Sequence, residues 1–327
     1  TDLYINNHDK KSGIMEFRKR KHIIFVLLAG VIIFTIFILE IGLDKLIYLL
    51  SRSEKQYLLL AIGFNFLNIL AFTLSWKVII LEKIGFIKLT RIYLIGVFIN
   101  YITPSMGTAG EPVKAYLLSK ETKSEYAGAF ATVMTQRMLN TLPFTIVTIF
   151  GIGMLIAIRP TASWEFIVLG ISFLITVGMF MLLIYLYLRK EQLKAIGKWL
   201  LKLFFPLIRR YQKGGVSFTR YVKKIDHYVE SFHFGLKQIS KQRIRLVESM
   251  SFSFLGWLFD VLLAYTVFLS LGYNIEFGIL IVAYSVAMVA GMLPLFLPGG
   301  LGTVDATMAL LYIAAGVPVE IALISTV

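Results

Sequence analysis

Long apolar runs alternate with short polar segments along this chain of 327 residues. A helix needs roughly 20 apolar residues to cross the hydrocarbon core of a bilayer. Five runs approach or exceed that length, at residues 23–39, 57–76, 126–158, 166–188 and 249–271. The composition agrees, because 57% of the residues are hydrophobic and 16% are charged, against about 25% charged in soluble domains. The pattern therefore predicts an all-α polytopic membrane protein.

Two further apolar regions are interrupted by glycine and proline, which break helices. Broken backbone at membrane depth is tolerated only where protein buries it or a wet cavity meets it. We therefore expect two broken re-entrant helical hairpins, each entering and leaving the membrane by one face. The first lies around 92–119, with its first helix over 92–101, and the second lies around 277–315.

The two breaks resemble each other in sequence. Glu111 stands seven positions after Pro104, Asp305 stands seven positions after Pro298, and glycines lie between in both cases. A matched pair of interrupted segments, one in each half, is the best sequence indication of a transporter's substrate site. The residues expected to break the helices are Pro104, Gly107, Gly110, Pro298, Gly299, Gly300 and Gly302.

The net charge of +14 is concentrated in the segments between apolar runs. With a cytoplasmic N-terminus and a re-entrant first hairpin, the 15 Lys and Arg residues of 189–245 lie inside, as the positive-inside rule requires. This topology predicts an integral protein of the cytoplasmic (plasma) membrane with inverted-repeat halves. The expected parts are a basic cytoplasmic N-terminus at 1–22, a first membrane half at 23–188, a basic cytoplasmic linker at 189–245 and a second half at 246–327.

Apolar residues recur at helical spacing within the linker, including Ile196 and Leu200, and lysines lie between them. This pattern is typical of an amphipathic helix on the surface of an anionic leaflet, where Trp199 would act as an interfacial anchor. The alternative is a plain solvated linker. Gly214 and Gly215 are expected to separate this helix from a second one.

Several kinds of chemistry are missing from the sequence. The chain has no cysteine, which excludes disulfides, iron–sulfur clusters and cysteine zinc sites. Its four histidines show no metal-binding spacing, so we predict neither a metal nor a cofactor. The phosphate-binding motif GxxxxGK[ST] is absent, so any transport would be passive or driven by an ion or proton gradient.

The candidate substrate-binding residues are Glu111, Lys114, Arg137, Asn140 and Asp305. Glu111 and Asp305 lie where a helix begins after each break, and helix N-termini attract anions. Either these acids satisfy the helix ends, or they face a central cavity that accepts a polar headgroup. A charge at the bilayer centre costs about 2.5–3.5 kcal/mol on insertion scales, which favours a functional role.

Two basic residues have alternative roles of the same kind. Arg137 lies deep in a predicted span, where it either pairs with Glu111 or binds phosphate through its planar fork. Lys114 is one helical turn from Glu111 and either pairs with it or meets lipid phosphate at a cavity mouth. Gln136, Asn140 and Pro143 also predict that the helix over 126–158 is kinked, with one polar side.

Asp260 lies in the middle of the predicted span 249–271. An unpaired carboxylate at that depth is costly, so its side chain is expected to face the protein interior or to be protonated. Two roles remain open, proton coupling and a structural hydrogen bond to a neighbouring helix.

Three segments carry a resemblance to a known family. The stretch 100–115, with Pro104 and the Gly110-Glu111-Pro112 sequence, resembles the first signature of the lysylphosphatidylglycerol synthase transmembrane-region family, which includes the flippase domain of MprF-type proteins. The stretch 297–306 is similar to the second signature. Residues 136–140 resemble a third, in which the family typically has Glu-Arg-hydrophobic-hydrophobic-Asp. The resemblance covers roughly residues 20–320.

The resemblance implies translocation of a polar lipid, without the soluble synthase domain that bifunctional members carry. Similar domains beside polyprenyl-phosphate glycosyltransferases also suggest a polyprenyl-linked substrate. Gln136 and Asn140 stand where the family has carboxylates, which leaves more positive potential around Arg137 and favours an anionic phosphate headgroup. Lys114 stands where Arg is frequent, and Asp305 stands where Glu is usual.

We therefore predict a lipid flippase rather than an enzyme. Its substrate would be an aminoacyl-phospholipid, another phospholipid or a polyprenyl-phosphate-linked lipid. The alternatives are a membrane-embedded enzyme acting on polyprenyl-phosphate lipids and a scaffold for a partner synthase. The expected partners are membrane lipids, with a separate lipid-modifying synthase or glycosyltransferase and a homodimer left open, and no nucleic acid is expected.

Overall fold

A computed structural model describes residues 51–103, 108–158, 189–211, 218–291 and 303–326, together with isolated helical positions between 167 and 185. Helices dominate these ranges, and no strand occurs in them. The helices are α1 (Lys55–Ile79), α2 (Phe86–Ile102), α3 (Gly110–Thr122), α4 (Tyr126–Ile158), α5 (Lys190–Tyr211), α6 (Phe218–Ser240), α7 (Arg243–Ser270), α8 (Phe277–Gly291), α9 (Thr303–Ala314) and α10 (Val319–Thr326). The all-α fold class is therefore confirmed.

Helices α1 and α7 form the central antiparallel pair of the bundle. At one end the backbone N–H of Glu54 donates to the carbonyl of Ser270 at 2.9 Å. At the other end the hydroxyls of Ser75 and Ser249 are 3.0 Å apart. Small residues line the contact, and their size lets two helix backbones approach closely, as is typical of helix packing in membranes.

Three of the described helices are long and apolar enough to cross a membrane, namely α1, α4 over Tyr126–Met154, and α7. They confirm the predicted runs 57–76, 126–158 and 249–271. The run 23–39 lies outside the described residues. So does most of 166–188, although its described positions are helical and mainly exposed. Helix α4 continues through Pro143 as one helix.

Helices α2 and α3 form the first expected hairpin. They run antiparallel, because the N–H of Gly110 meets the Asn100 side chain near the end of α2, whereas Lys88 near its start pairs with Glu121 near the end of α3. The start of α2 and the end of α3 thus lie at the same end of the bundle, as a re-entrant hairpin requires.

The expected start of this hairpin was wrong by six residues. We expected its first helix over 92–101, whereas α2 begins at Phe86. Lys88 and Arg91 looked like loop residues in sequence, but Leu89 is fully buried against neighbouring helices, and this packing extends the helix. Of the residues expected to break the helices, Pro104, Gly107, Pro298, Gly299, Gly300 and Gly302 lie outside the described ranges, and Gly110 opens α3.

One apolar cluster lies at the end of the bundle where α1 finishes and α4 and α7 begin. We call it the basic end, because Lys77, Lys120 and Arg243 lie there. Trp76 from α1 and Leu118 from α3 are among its buried members, with residues of α2, α4 and α6 packed around them. The first hairpin is therefore rooted at the basic end.

A second cluster lies at the opposite end of the α1–α7 pair. Phe268 near the end of α7 packs with Leu280 of α8 and Tyr312 of α9, and α8 and α9 also pack against each other. The two broken helix pairs thus occupy opposite ends of the bundle, the placement that inverted halves require. The repeat relation itself stays a prediction.

The basic linker contains two helices, α5 and α6, and residues 212–217 between them lie outside the described ranges. These helices pair antiparallel. Lys194 lies 3.0 Å from Glu230, and the rings of Phe205 and Phe218 are 5.0 Å apart at the other end. Helix α6 then packs along the start of α4, where a Cβ added at Gly235 would lie 3.0 Å from the Ala131 side chain.

Candidate functional site

A buried cluster of one acid and two bases joins the first hairpin to α4. The carboxylate of Glu111 uses both oxygens, with Lys114 Nζ 2.6 Å from Oε2 and Arg137 Nη1 3.3 Å from Oε1. Glu111 and Lys114 are 7% and 5% exposed. Two cations therefore share one carboxylate, and we call these three groups the ion triad.

The triad forms because α2 and α3 approach unusually closely. A Cβ added at Gly110 would lie 2.0 Å from the Gly96 carbonyl oxygen, and one added at Gly96 would lie 2.4 Å from Lys114 Cγ. The backbone N–H of Gly110 donates to Asn100 Oδ1 at 2.7 Å, which satisfies one of the free donors at the start of α3. Glycine at both positions therefore brings Glu111 and Lys114 into the hairpin interior.

Two aromatic rings flank the Lys114 ammonium group. Its Nζ lies 5.6 Å from the ring centroid of Trp76 on α1 and 5.5 Å from that of Tyr93 on α2. Cation–π attraction is stronger where water is excluded, at about 2 kcal/mol or more. The Trp76 indole N–H donates to Thr132 on α4 at 3.0 Å, which fixes the ring. Lys114 is thus fixed on several sides, whereas the Arg137 side chain is 29% exposed.

Two other polar residues of α4, Gln136 and Asn140, face neighbouring helices. Gln136 donates to the carbonyl of Phe72 on α1 at 2.7 Å. The Asn140 side chain accepts a hydrogen bond from Ser253 on α7, and its backbone carbonyl accepts one from the Trp257 indole at 3.1 Å. The structure therefore places Asn140 at the contact between α4 and α7, whereas the triad lies at the contact between α3 and α4.

Asp260 lies half-buried in α7 and has a neutral partner. Its Oδ2 accepts a hydrogen bond from the Tyr284 hydroxyl of α8 at 3.0 Å, whereas Asn68 of α1 donates to the Gly256 carbonyl at 2.9 Å. The bond to Tyr284 is the structural hydrogen bond to a neighbouring helix, which was one of the two roles expected for Asp260. Proton coupling stays a prediction.

Asp305 lies in the first turn of α9, as expected. Glu111, Lys114 and Arg137 form one contact group.

Sequence reasoning missed three residues that shape the site. Trp76 and Tyr93 contact Lys114, and Gly96 makes room for it. An isolated glycine inside an apolar helical run indicates close backbone approach, so Gly96 carried a readable signal. The two aromatic residues did not, because aromatic residues are common throughout this chain.

The described residues offer acid–base and anion-binding chemistry. Within these ranges, no group of three or more His, Asp or Glu side chains is arranged to hold a metal ion. The Arg137 side chain is partly exposed and pairs with a carboxylate that also pairs with a second cation.

The apolar spans, the two broken helix pairs and the buried charges define a polytopic α-helical integral membrane protein. The model of the family described as "Lysylphosphatidylglycerol synthase TM region" matches residues 23–327, and the chain belongs to that family.

Three relatives match this chain over most of their own length. A "UPF0104 membrane protein" from Methanothermobacter thermautotrophicus is 30% identical over 94% of this chain and 90% of the relative. "UPF0104 membrane protein MJ1595" from Methanocaldococcus jannaschii is 30% identical over 86% and 82%. "UPF0104 membrane protein PH1989" from Pyrococcus horikoshii is 26% identical over 91% and 88%. No solved structure matches the chain.

Proposed function

We propose that this protein translocates a polar lipid across the cytoplasmic membrane, with its N-terminus in the cytoplasm. The observation that carries the proposal is the ion triad, in which buried Glu111 and Lys114 join the partly exposed Arg137. Buried charge inside a membrane domain is costly and marks substrate or ion pathways. Broken helix pairs at opposite ends of the bundle further support a transport role.

The proposed substrate has a phosphate-bearing headgroup. The two cations of the triad can attract an anion, and the Arg137 fork matches two phosphate oxygens. Phosphate would replace Glu111 at Arg137, while Glu111 keeps its pair with Lys114. The headgroup would then pass between the hairpin α2–α3 and α4 while the acyl chains stay in lipid. Asp305 and Asn140 would contact the headgroup later on this path.

The test is lipid translocation by purified protein in vesicles. Wild-type protein and Arg137→Ala would be reconstituted with fluorescent phosphatidylglycerol, and movement between leaflets measured by dithionite bleaching. Removing a hydrogen bond to a charged group costs about 1.5–3 kcal/mol, so we expect a loss of roughly tenfold to hundredfold in rate. Arg137→Lys should retain part of the activity, because lysine keeps the charge and loses the fork.

The matched control is Lys120→Ala, which removes an exposed charge from α3, outside the triad. It should translocate lipid at the wild-type rate. Arg137→Ala protein that moves lipid as fast as wild type would contradict the proposed role. Mass spectrometry of the vesicle lipids distinguishes an enzyme, because translocation leaves each lipid chemically unchanged.

A further inference from the structure

Helix α5 has two sharply different faces. Lys190 and Lys194 both contact Glu230 of α6, and Lys198 lies 2.8 Å from Asp226. These lysines therefore serve the α5–α6 contact. The opposite face of α5 consists of large exposed apolar side chains, which are Ile196, Trp199, Leu200, Leu203 and Phe204. We call these five residues the outer face of α5. Contiguous exposed apolar surface of this kind marks a protein or membrane contact.

The outer face continues a line of exposed apolar residues that begins before α5. Ile167, Ile171, Leu174, Met181 and Tyr185 are all exposed and follow helical spacing. Residues three or four positions apart on a helix share one face. In a membrane protein this exposed line within the predicted span 166–188 faces lipid.

Two backbone hydrogen bonds of the helical i to i−4 type meet at Arg189, just before α5. The N–H of Arg189 donates to the Tyr185 carbonyl at 2.9 Å, and the N–H of Leu193 donates to the Arg189 carbonyl at 3.1 Å. The outer face of α5 therefore follows the exposed apolar positions of the preceding segment closely along the chain.

Two exposed basic residues lie beside this face. Arg189 lies at its start and Lys202 lies beside it, and both are exposed. Long basic side chains can rest on apolar surface while their charged ends reach lipid phosphates. Trp199, which is 62% exposed, is a residue type enriched at membrane interfaces.

From these observations we propose that the outer face of α5 lies in the leaflet at the basic end of the protein, at the boundary between headgroups and acyl chains, and that it prefers anionic lipid. Helix α6 covers the other side of α5 and connects it to the start of α4. The α5–α6 pair is thus a membrane-surface element attached to the helix bundle. This inference does not depend on lipid translocation.

The experiment uses the full chain, which contains no cysteine, so single cysteines can be introduced directly. Leu203→Cys places a fluorescent bimane label on the outer face of α5. Lys223→Cys is the control, because Lys223 is an exposed charged residue of α6. Each labelled protein is reconstituted in phosphatidylcholine vesicles with or without phosphatidylglycerol. Quenching by a lipid nitroxide is then compared with quenching by aqueous iodide.

We expect the label at Leu203 to be quenched several-fold more by the lipid nitroxide than by iodide, with a larger ratio when phosphatidylglycerol is present. The Lys223 label should show the reverse preference. Ile196→Cys, two turns earlier, should repeat the Leu203 result and guards against a local effect of one label.

Three results would overturn the proposal. A Leu203 label reached by iodide and not by lipid would place this face in water. A label shielded from both quenchers would show that a second copy or another protein covers it. Equal ratios in the two kinds of vesicle would remove the preference for anionic lipid.

Discussion

Glu111 and Asp260 are both carboxylates inside the helix bundle, and their surroundings differ in kind. Glu111 is shared by two cations, at 2.6 Å from Lys114 and 3.3 Å from Arg137. Asp260 receives a hydrogen bond from the neutral side chain of Tyr284. One acid therefore belongs to a charged group that needs every member, whereas the other belongs to a neutral contact that tolerates a neutral replacement.

The comparison also separates two ways of joining helices in this bundle. The first hairpin is tied to α4 by charge, at the point where Gly96 and Gly110 allow close approach. The α1–α7 pair is joined by small hydroxyl groups such as those of Ser75 and Ser253, whose oxygens are 2.8 Å apart. A charged contact responds to a competing ion, and a hydroxyl contact does not. If the protein acts as proposed, the part that changes partners is therefore expected at the triad.

The largest effect should come from removing the acid of the triad. Glu111→Ala leaves the buried Lys114 ammonium without its counterion, and breaking a buried pair in this way costs about 3–5 kcal/mol. Asp260→Asn should cost about 1 kcal/mol, because Tyr284 can still donate to the amide oxygen. Thermal unfolding in one detergent measures both. Equal losses of stability would show that the two acids are not different in kind.

The close approach of α2 and α3 gives the next largest effect. In Gly110→Ala the new methyl group would lie 2.0 Å from the Gly96 carbonyl oxygen, so the hairpin must open, at a cost of about 1–3 kcal/mol. The control is Gly63→Ala in α1, where nothing lies within 4 Å of the added carbon. That variant should unfold at or above the wild-type temperature, because alanine favours a helix by about 1 kcal/mol over glycine.

A smaller effect is expected in the α1–α7 contact. Ser253→Ala removes the hydroxyl that bonds Ser75 and Asn140. Hydrogen bonds between membrane helices average only about 0.6 kcal/mol, so the melting temperature should fall slightly. A double-mutant cycle with Ser75→Ala isolates this contact. A coupling energy as large as the loss in Glu111→Ala would contradict the distinction between charged and hydroxyl contacts.

The smallest effect concerns the exposed ion pairs between α5 and α6. Hydrogen bonds from Lys194 and Lys190 lower the pKa of the Glu230 carboxyl. Because the pKa is lowered in the folded state, ionised Glu230 stabilises the fold. This stabilisation is complete above the ordinary Glu pKa and is lost as pH falls through the lowered value.

Spin labels on α5 and α6 should therefore show slightly greater separation at low pH in the wild type. Glu230→Gln should show that separation already at neutral pH, and high salt should weaken the wild-type contact in the same way. A distance that ignores pH, salt and the substitution would assign this contact to the apolar rings of Phe205 and Phe218 instead.

Particular residues show how far prediction from sequence reached. The bounds of α4 agree with the predicted run 126–158, because long apolar periodicity depends on the chain alone. The pairs of Glu111 with Lys114 and with Arg137 were both among the predicted alternatives, and both form. The start of α2 was placed too late, since burial of Leu89 outweighed the two charges beside it.

Asn140 shows the opposite limit. Its side chain accepts from Ser253 and its carbonyl accepts from Trp257, and its role as a substrate ligand stays a prediction. Helical spacing gives the face of a residue only within its own helix. Which neighbour meets that face depends on how α7 is packed, and no local pattern records that.

The sequence by itself determined the class of the protein, the long spans, the breaks near Glu111 and Asp305 and the amphipathic character of the linker. These follow from composition, length and periodicity, which are properties of neighbouring residues. Only the tertiary structure decided that two cations share Glu111, that Trp76 and Tyr93 enclose Lys114, and that the lysines of α5 face α6. These contacts join residues far apart in the chain, and their free energy depends on the close packing that brings them together.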